Sequence, residues 1–150
     1  MTELASQAYQ TFLDEGSRMI MAGDFAAVAR SMVYPQRMET ADGTLCYNGP
    51  SDMESAAASF RAFLATMGAT DYHRVCEFAE IDAEGTGISG EHTTYIIRGG
   101  QFAVTPYRNR MWLQLDGGIW RGAGLAAAVS NQVCMILSPE QLRAAKGWQA

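Results

Sequence analysis

The stretch Tyr107-Arg108-Asn109-Arg110-Met111-Trp112-Leu113-Gln114-Leu115 runs into Asp116-Gly117-Gly118 and then Ile119-Trp120-Arg121-Gly122-Ala123-Gly124-Leu125. Two alternating segments flank a Gly-Gly turn, a strong hairpin signal because glycine reaches positive φ without steric cost. Period two puts Tyr107, Asn109, Met111 and Leu113 on one face, and Arg108, Arg110, Trp112 and Gln114 on the other. The same period extends outward into four expected strands, over Tyr72–Ile81, Gly87–Arg98, Phe102–Leu115 and Ile119–Val129. Short connections at Asp82-Ala83-Glu84-Gly85, Gly99-Gly100 and Asp116-Gly117-Gly118 make successive strands antiparallel neighbours.

The half before this meander is helical. Leu4, Ala8, Phe12, Met19 and Met21 lie near a helical period and predict a first helix over about residues 2–22. Gly23 stops it, and Asp24 is placed to cap a short second helix ending at Ala29 or Arg30. Beyond Pro35, Gln36–Thr40 and Thr44–Tyr47 read as a small hairpin around Asp42-Gly43. Ser51-Asp52-Met53-Glu54 matches a capping box, and Ala56, Phe60, Phe63, Leu64 and Met67 mark a third helix. Ser138-Pro139-Glu140 opens a short C-terminal helix running towards Trp148. The expectation is one α+β domain over residues 1–150, with N-terminal helices packed in a curved antiparallel sheet.

Composition narrows the classes of function. Eleven Lys and Arg against 16 Asp and Glu leave a net charge of -5, and no basic cluster of the kind that nucleic acid or an anionic membrane surface requires. No apolar run approaches the ~18 residues of a membrane span. Cys46, Cys76 and Cys134 are widely spaced and odd in number, which suits reduced, buried thiols in the cytoplasm. The N-terminus lacks the basic start and apolar core of a secretory leader. No phosphate-binding glycine loop, metal-spaced His/Cys cluster or nucleophile elbow is present, so no cofactor and no metal is expected.

Three helices, a small hairpin and a four-stranded meander resemble the NTF2-like (SnoaL-like) cone, over nearly the whole chain. Tyr72-His73-Arg74-Val75 and Gly90-Glu91-His92-Thr93 resemble the two histidine-bearing strands of the scytalone dehydratase branch. Asn109-Arg110-Met111-Trp112, followed by Trp120-Arg121-Gly122-Ala123-Gly124-Leu125, resembles that branch's Asn-x-x-Trp and Trp-Lys-x-Ala-Gly-Leu segments. The resemblance implies an apolar cavity, with His73 as the acid–base group and His92 and Asn109 holding substrate. It also implies a homodimer through the outer sheet face, the face that carries Arg108, Arg110 and Trp112. A solvated face covered by the terminal helix is the competing reading. Two departures stand out: Met21 occupies the place of the family's carboxylate, and Thr40 falls near that of a tyrosine.

His73 and His92 are the only histidines, and imidazole is the side chain most readily tuned for proton transfer near neutral pH. His73 shares a period-two face with Val75, Glu77, Ala79 and Ile81, and His92 with Gly90, Thr94 and Ile96. Either each histidine faces the cavity or each simply hydrogen-bonds beside the sheet. Tyr107 travels with Asn109 and offers a replacement phenol for the one absent at Thr40. Tyr9, Tyr34 and Tyr47 are candidates for hydroxyls at the cavity mouth, and Met21 is one of several methionines suited to a flexible lining. Two functions therefore stay open. One is a cofactor-independent lyase (dehydratase) or isomerase acting on a small apolar or aromatic molecule, with His73 and His92 catalytic and Asn109, Tyr107, Met21 and Tyr34 binding substrate. The other is a non-catalytic ligand-binding or assembly protein on the same fold.

Overall fold

A computed structural model describes residues 2–136 together with Glu140, Gln141 and Arg143. In chain order the elements are α1 (Thr2–Ala22), α2 (Phe25–Arg30), β1 (Met32–Thr40), β2 (Gly43–Tyr47), α3 (Pro50–Thr66), β3 (Asp71–Ile81), β4 (Gly87–Arg98), β5 (Gln101–Phe102), β6 (Tyr107–Asp116) and β7 (Ile119–Ala127). The strand order is β2-β1-β7-β6-β4-β3, with the short β5 paired to β4. Helices plus one curved sheet make the fold α+β. The sheet is mixed rather than antiparallel throughout, because β1 runs parallel to β7. The local signals around β1 concerned only its hairpin with β2, and its other edge is filled by a strand from much further along the chain, as in the pair Met38–Leu125.

The Gly-Gly hairpin forms as the sequence reads. Asp116 pairs with Ile119, while Gly117 and Gly118 take φ +58° and +83°. Alternation along β6 is strict: Tyr107, Asn109, Met111 and Leu113 are buried, and Arg108, Arg110, Trp112 and Gln114 are exposed. The strand expected over Phe102–Leu115 is interrupted. Ala103 still donates to the Ile96 carbonyl, but the ladder resumes only at Tyr107, just past Pro106, which has no N–H to give.

Asp24 caps α2 by accepting from the Ala27 N–H at 3.2 Å. The capping box expected at Ser51–Glu54 does not form. Gly49 is the N-cap, makes no side-chain cap, and is followed by Pro50 at the first helical position, where the missing N–H is harmless. Asp52 instead accepts from the Asn48 N–H at 2.9 Å. The helix expected from Ser138 towards Trp148 lies outside the described residues apart from Glu140, Gln141 and Arg143, which are helical.

Two apolar cores form on the inner face of the sheet. Ala5, Tyr9 and Leu13, four residues apart on α1, pack with Ala79, Ile88, Met111 and Leu113. Phe60 and Leu64 of α3, Val28 of α2, Ile96 and Tyr107 belong to the second. The buried stripe of α1 is one position on from the apolar residues that suggested the helix, and Leu4 is exposed. Gly90 explains the choice. A Cβ there would lie 2.6 Å from the Tyr9 ring and 2.8 Å from the Phe78 carbonyl oxygen, so a bare backbone lets Tyr9 sit directly on β4. Gln10 closes the open edge of β3: its Nε2 donates to the Arg74 carbonyl and its Oε1 accepts from the Cys76 N–H, both at 2.8 Å. One side-chain amide thus stands in for a neighbouring strand.

Gly90→Ala is expected to destabilise the chain by about 1–3 kcal/mol, because neither the Tyr9 ring nor the Phe78 backbone has room to withdraw. Urea unfolding reads this directly as a lower midpoint at unchanged slope.

Candidate functional site

A bulge decides which residues of β3 reach the interior. Cys76 pairs with His92 and Phe78 with Glu91, leaving Glu77 without a partner across the ladder. One extra residue inverts the alternation on either side of it. After the bulge Ala79 points inward, as its period suggests; before it, Arg74 is buried and His73 is exposed. The expectation that His73 faces the cavity is therefore corrected. His73 borders an outer depression shared with Asp14, Ser17, Arg18 and Met21. Glu77 is also turned outward, accepting from Thr93 Oγ1 at 2.6 Å and lying 3.8 Å from Arg108.

Register then assembles a band of polar side chains across the inner face. Cys76, His92 and Asn109 form one row over β3, β4 and β6, and Arg74, Thr94 and Tyr107 form the next. Along β4 this band separates Ile88 of the first core from Ile96 of the second. His92 is 0% exposed, and its Nδ1 lies 2.7 Å from the Tyr9 hydroxyl. Burial, with a smaller contribution from the Arg74 charge, pushes the His92 pKa down to about 3. The ring is thus neutral at ordinary pH. Burial likewise holds the Tyr9 phenol well above its usual value. Tyr9 therefore keeps its proton, and its hydroxyl can donate to Nδ1 in the imidazole tautomer that carries its hydrogen on Nε2.

That Nε2 has no hydrogen-bond partner among the described residues. Among the described residues the same is true of Thr94 Oγ1, Asn109 Oδ1 and the Tyr107 hydroxyl, all buried, the last meeting only the Cys134 thiol. Among the described residues Asn109 Nδ2 reaches only the Cys134 thiol, at 3.9 Å, and burial drives both the Cys134 and Tyr107 pKa values up. Buried polar atoms are nearly always paired, with protein or with an ordered guest. The unpaired ones on these adjacent strands leave donors and acceptors available for water or a ligand.

Beside this band lies a cavity of about 90 Å³, against the roughly 10–15 Å³ that one water needs. Asn109, Arg74, Tyr72 and Gln36 supply its polar wall; Phe12, Ile20, Met38, Met53 and Phe60 are among its apolar lining. Of the residues singled out from sequence as site residues, only Asn109 lines it. His92 and Tyr107 stand next to Asn109 on neighbouring positions of the sheet. Met21 borders the outer depression with His73, and Tyr34 turns its hydroxyl back to the Ala29 carbonyl at 2.8 Å. Tyr47 does line the cavity but donates to the Ile136 carbonyl. Sequence reading passed over Arg74, and it placed Tyr9 at the cavity mouth. The Arg74 signal was masked by the bulge; the i, i+4, i+8 spacing of Ala5, Tyr9 and Leu13 was a usable clue for Tyr9.

Cys46 is exposed, Cys76 half-buried and Cys134 buried, all as free thiols, so the expectation of buried cysteines fails at Cys46. Among the described residues no group of three or more His, Cys, Asp or Glu is placed to hold a metal. Among them, too, no helix is long and apolar enough to cross a membrane.

Between pH about 6.5 and about 3 the unfolded chain takes up a proton at His92 that the folded chain refuses. Stability from this group is complete above pH about 6.5 and is lost as pH falls through that window. Denaturant unfolding at pH 7 and pH 4.5 is expected to show a smaller acid loss in His92→Gln than in the parent chain, by roughly 1–3 kcal/mol. Equal losses would place His92 in water. Tyr9→Phe strands Nδ1 and is expected to cost about 1–3 kcal/mol at pH 7.

No family model matches the chain, and no curated protein does. Solved structures do. An NTF2-like protein with a cystatin-like fold from Novosphingobium aromaticivorans superposes with a TM-score of 0.61 at 14% identity, over 89% of each chain. A domain of unknown function with a cystatin-like fold from Nostoc punctiforme gives 0.64 at 15% identity, over 96% of this chain and 93% of that one. Aln2 from a Streptomyces species gives 0.61 at 19% identity, over 83% of this chain and 90% of that one. At these identities the likeness establishes architecture alone: the chain has the NTF2-like fold.

Proposed function

We propose that this chain, read as a single domain over residues 1–150, binds a small, largely apolar or aromatic molecule in its interior cavity. One observation carries the reading. Among the described residues, His92 Nε2, Thr94 Oγ1 and Asn109 Oδ1 are buried without partners, and Tyr107 Oη meets only the Cys134 thiol, on adjacent positions of β4 and β6, and Asn109 opens onto the cavity. Such a set suits a hydroxyl or carbonyl: Nε2–H and the phenol donate, and the amide oxygen accepts. Phe12, Met53 and Phe60 provide surface for a ring.

Binding without acid–base catalysis is favoured over the lyase or isomerase reading. A dehydratase or an isomerase needs a base beside the bound molecule with a pKa near the working pH. His73 is on the other side of the sheet, His92 resists protonation down to about pH 3, and Met21 brings no carboxylate. A homodimer through the outer sheet face belongs to the same proposal. It is supported by exposed Phe78 and Trp112 on that face, with Arg110 over the Trp112 ring at 5.9 Å. A cytoplasmic location rests on the three free thiols.

Titration with 2-naphthol, followed by amide NMR, is expected to shift resonances around Asn109, Met53 and Phe60. Asn109→Leu should weaken 2-naphthol about three- to tenfold, the usual worth of one neutral hydrogen bond, and leave naphthalene unaffected. Shifts confined to the outer depression at His73 and Met21 would sink the proposal.

A further inference from the structure

Arg74 is 8% exposed and lines the cavity. Its Nε donates to Ser17 Oγ at 2.9 Å and its Nη2 to the Leu13 carbonyl at 3.0 Å. Both acceptors are neutral. Nη1 makes no hydrogen bond among the described residues. The Tyr72 ring lies under the guanidinium at 5.1 Å, offering a quadrupole and no counter-charge. Among the described residues the ion pairs are Arg37–Glu39, Arg108–Glu77 and Arg121–Asp116, and Arg74 belongs to none of them. The acids nearest in sequence are engaged elsewhere, Asp71 with the Thr70 hydroxyl and Glu77 with Thr93, and Asp14, next to Leu13 on α1, accepts from the Gln10 amide.

A buried cation held only by neutral groups is costly and implies a missing anion. The helix is also shaped to take it. A Cβ at Gly16 would lie 2.9 Å from Nη2, so a glycine in the middle of α1 leaves the notch in which the guanidinium rests. Its charge acts on Tyr9, Tyr72, His92, Tyr107 and Cys134, which places it at the centre of the polar band.

We infer that Arg74 anchors the carboxylate of a small aromatic acid, whose ring occupies the apolar wall formed by Phe12, Ile20, Met53 and Phe60. One guanidinium balances one negative charge, and its planar fork matches a carboxylate. A phosphate dianion would need a second cation, and none lines the cavity among the described residues. The inference rests on the binding-pocket reading above and specifies what it binds.

The test compares benzoic, cinnamic and 1-naphthoic acids with their neutral amides at pH 7, by calorimetry. For the ring size that fits, the acid is expected to bind about tenfold more tightly than its amide or better. Arg74→Met is expected to erase the preference, and Arg74→Lys to keep its sign at reduced size. The comparison on the unaltered chain decides the matter even where Arg74→Met fails to fold. An amide that binds as well as its acid overturns the carboxylate assignment and leaves the pocket standing. No binding by any of the six compounds overturns both.

Discussion

The hydrogen bond between the Tyr9 hydroxyl and His92 Nδ1 is the interaction around which the interior is organised. At 2.7 Å and fully buried, it ties α1 to the centre of the sheet through two side chains that neither element satisfies alone. Its formation requires Tyr9 to pass over a bare Gly90. It also couples the imidazole tautomer to the direction of the bond: a phenol that donates to Nδ1 leaves a donor at Nε2. Loss of either partner leaves a buried polar atom stranded, a penalty larger than the bond's own net worth.

That bond is one part of a polar band running between two apolar cores. A band of this kind contributes little to stability, since buried polar groups at best break even with apolar ones of the same shape. Its value is selective. Helix α1 meets the band through Tyr9 at His92 and through Leu13, Gly16 and Ser17 at Arg74. Gln10 meets the edge of β3 beside it. These contacts fix both the rotation and the height of α1 on the sheet, which apolar packing alone would leave loosely specified. The cavity adjoins this band between α1, α3 and the sheet, with Phe12 and Ile20 on one side and Met53 and Phe60 on another.

Much of the architecture was legible in the chain because it depends on local rules. The Gly-Gly hairpin, the alternation of β6, the cap at Asp24 and the break at Gly23 each follow from a few neighbouring residues. That Asn109 shares a face with Tyr107, and His92 with Thr94 and Ile96, could be read because their strands keep an unbroken period of two. The face of His73 could not, since a bulge at Glu77 reverses the alternation. A bulge arises from how two strands settle against each other and leaves no reliable mark in either one. The capping box at Ser51 failed for a milder reason: Pro50, one residue earlier, already suits the first helical position.

The sequence by itself thus determined the element order, the α+β class and which residues share a face along β4 and β6, because these depend on periodicity and turn chemistry. Only the tertiary structure decided that β1 runs parallel to β7, that His73 is outside, and that Arg74 replaces it in the interior. Those outcomes depend on register and on space: which strand fills an edge, where an extra residue is accommodated, and which helix positions are small enough to accept a ring or a guanidinium. Residues far apart in the chain settle such questions jointly.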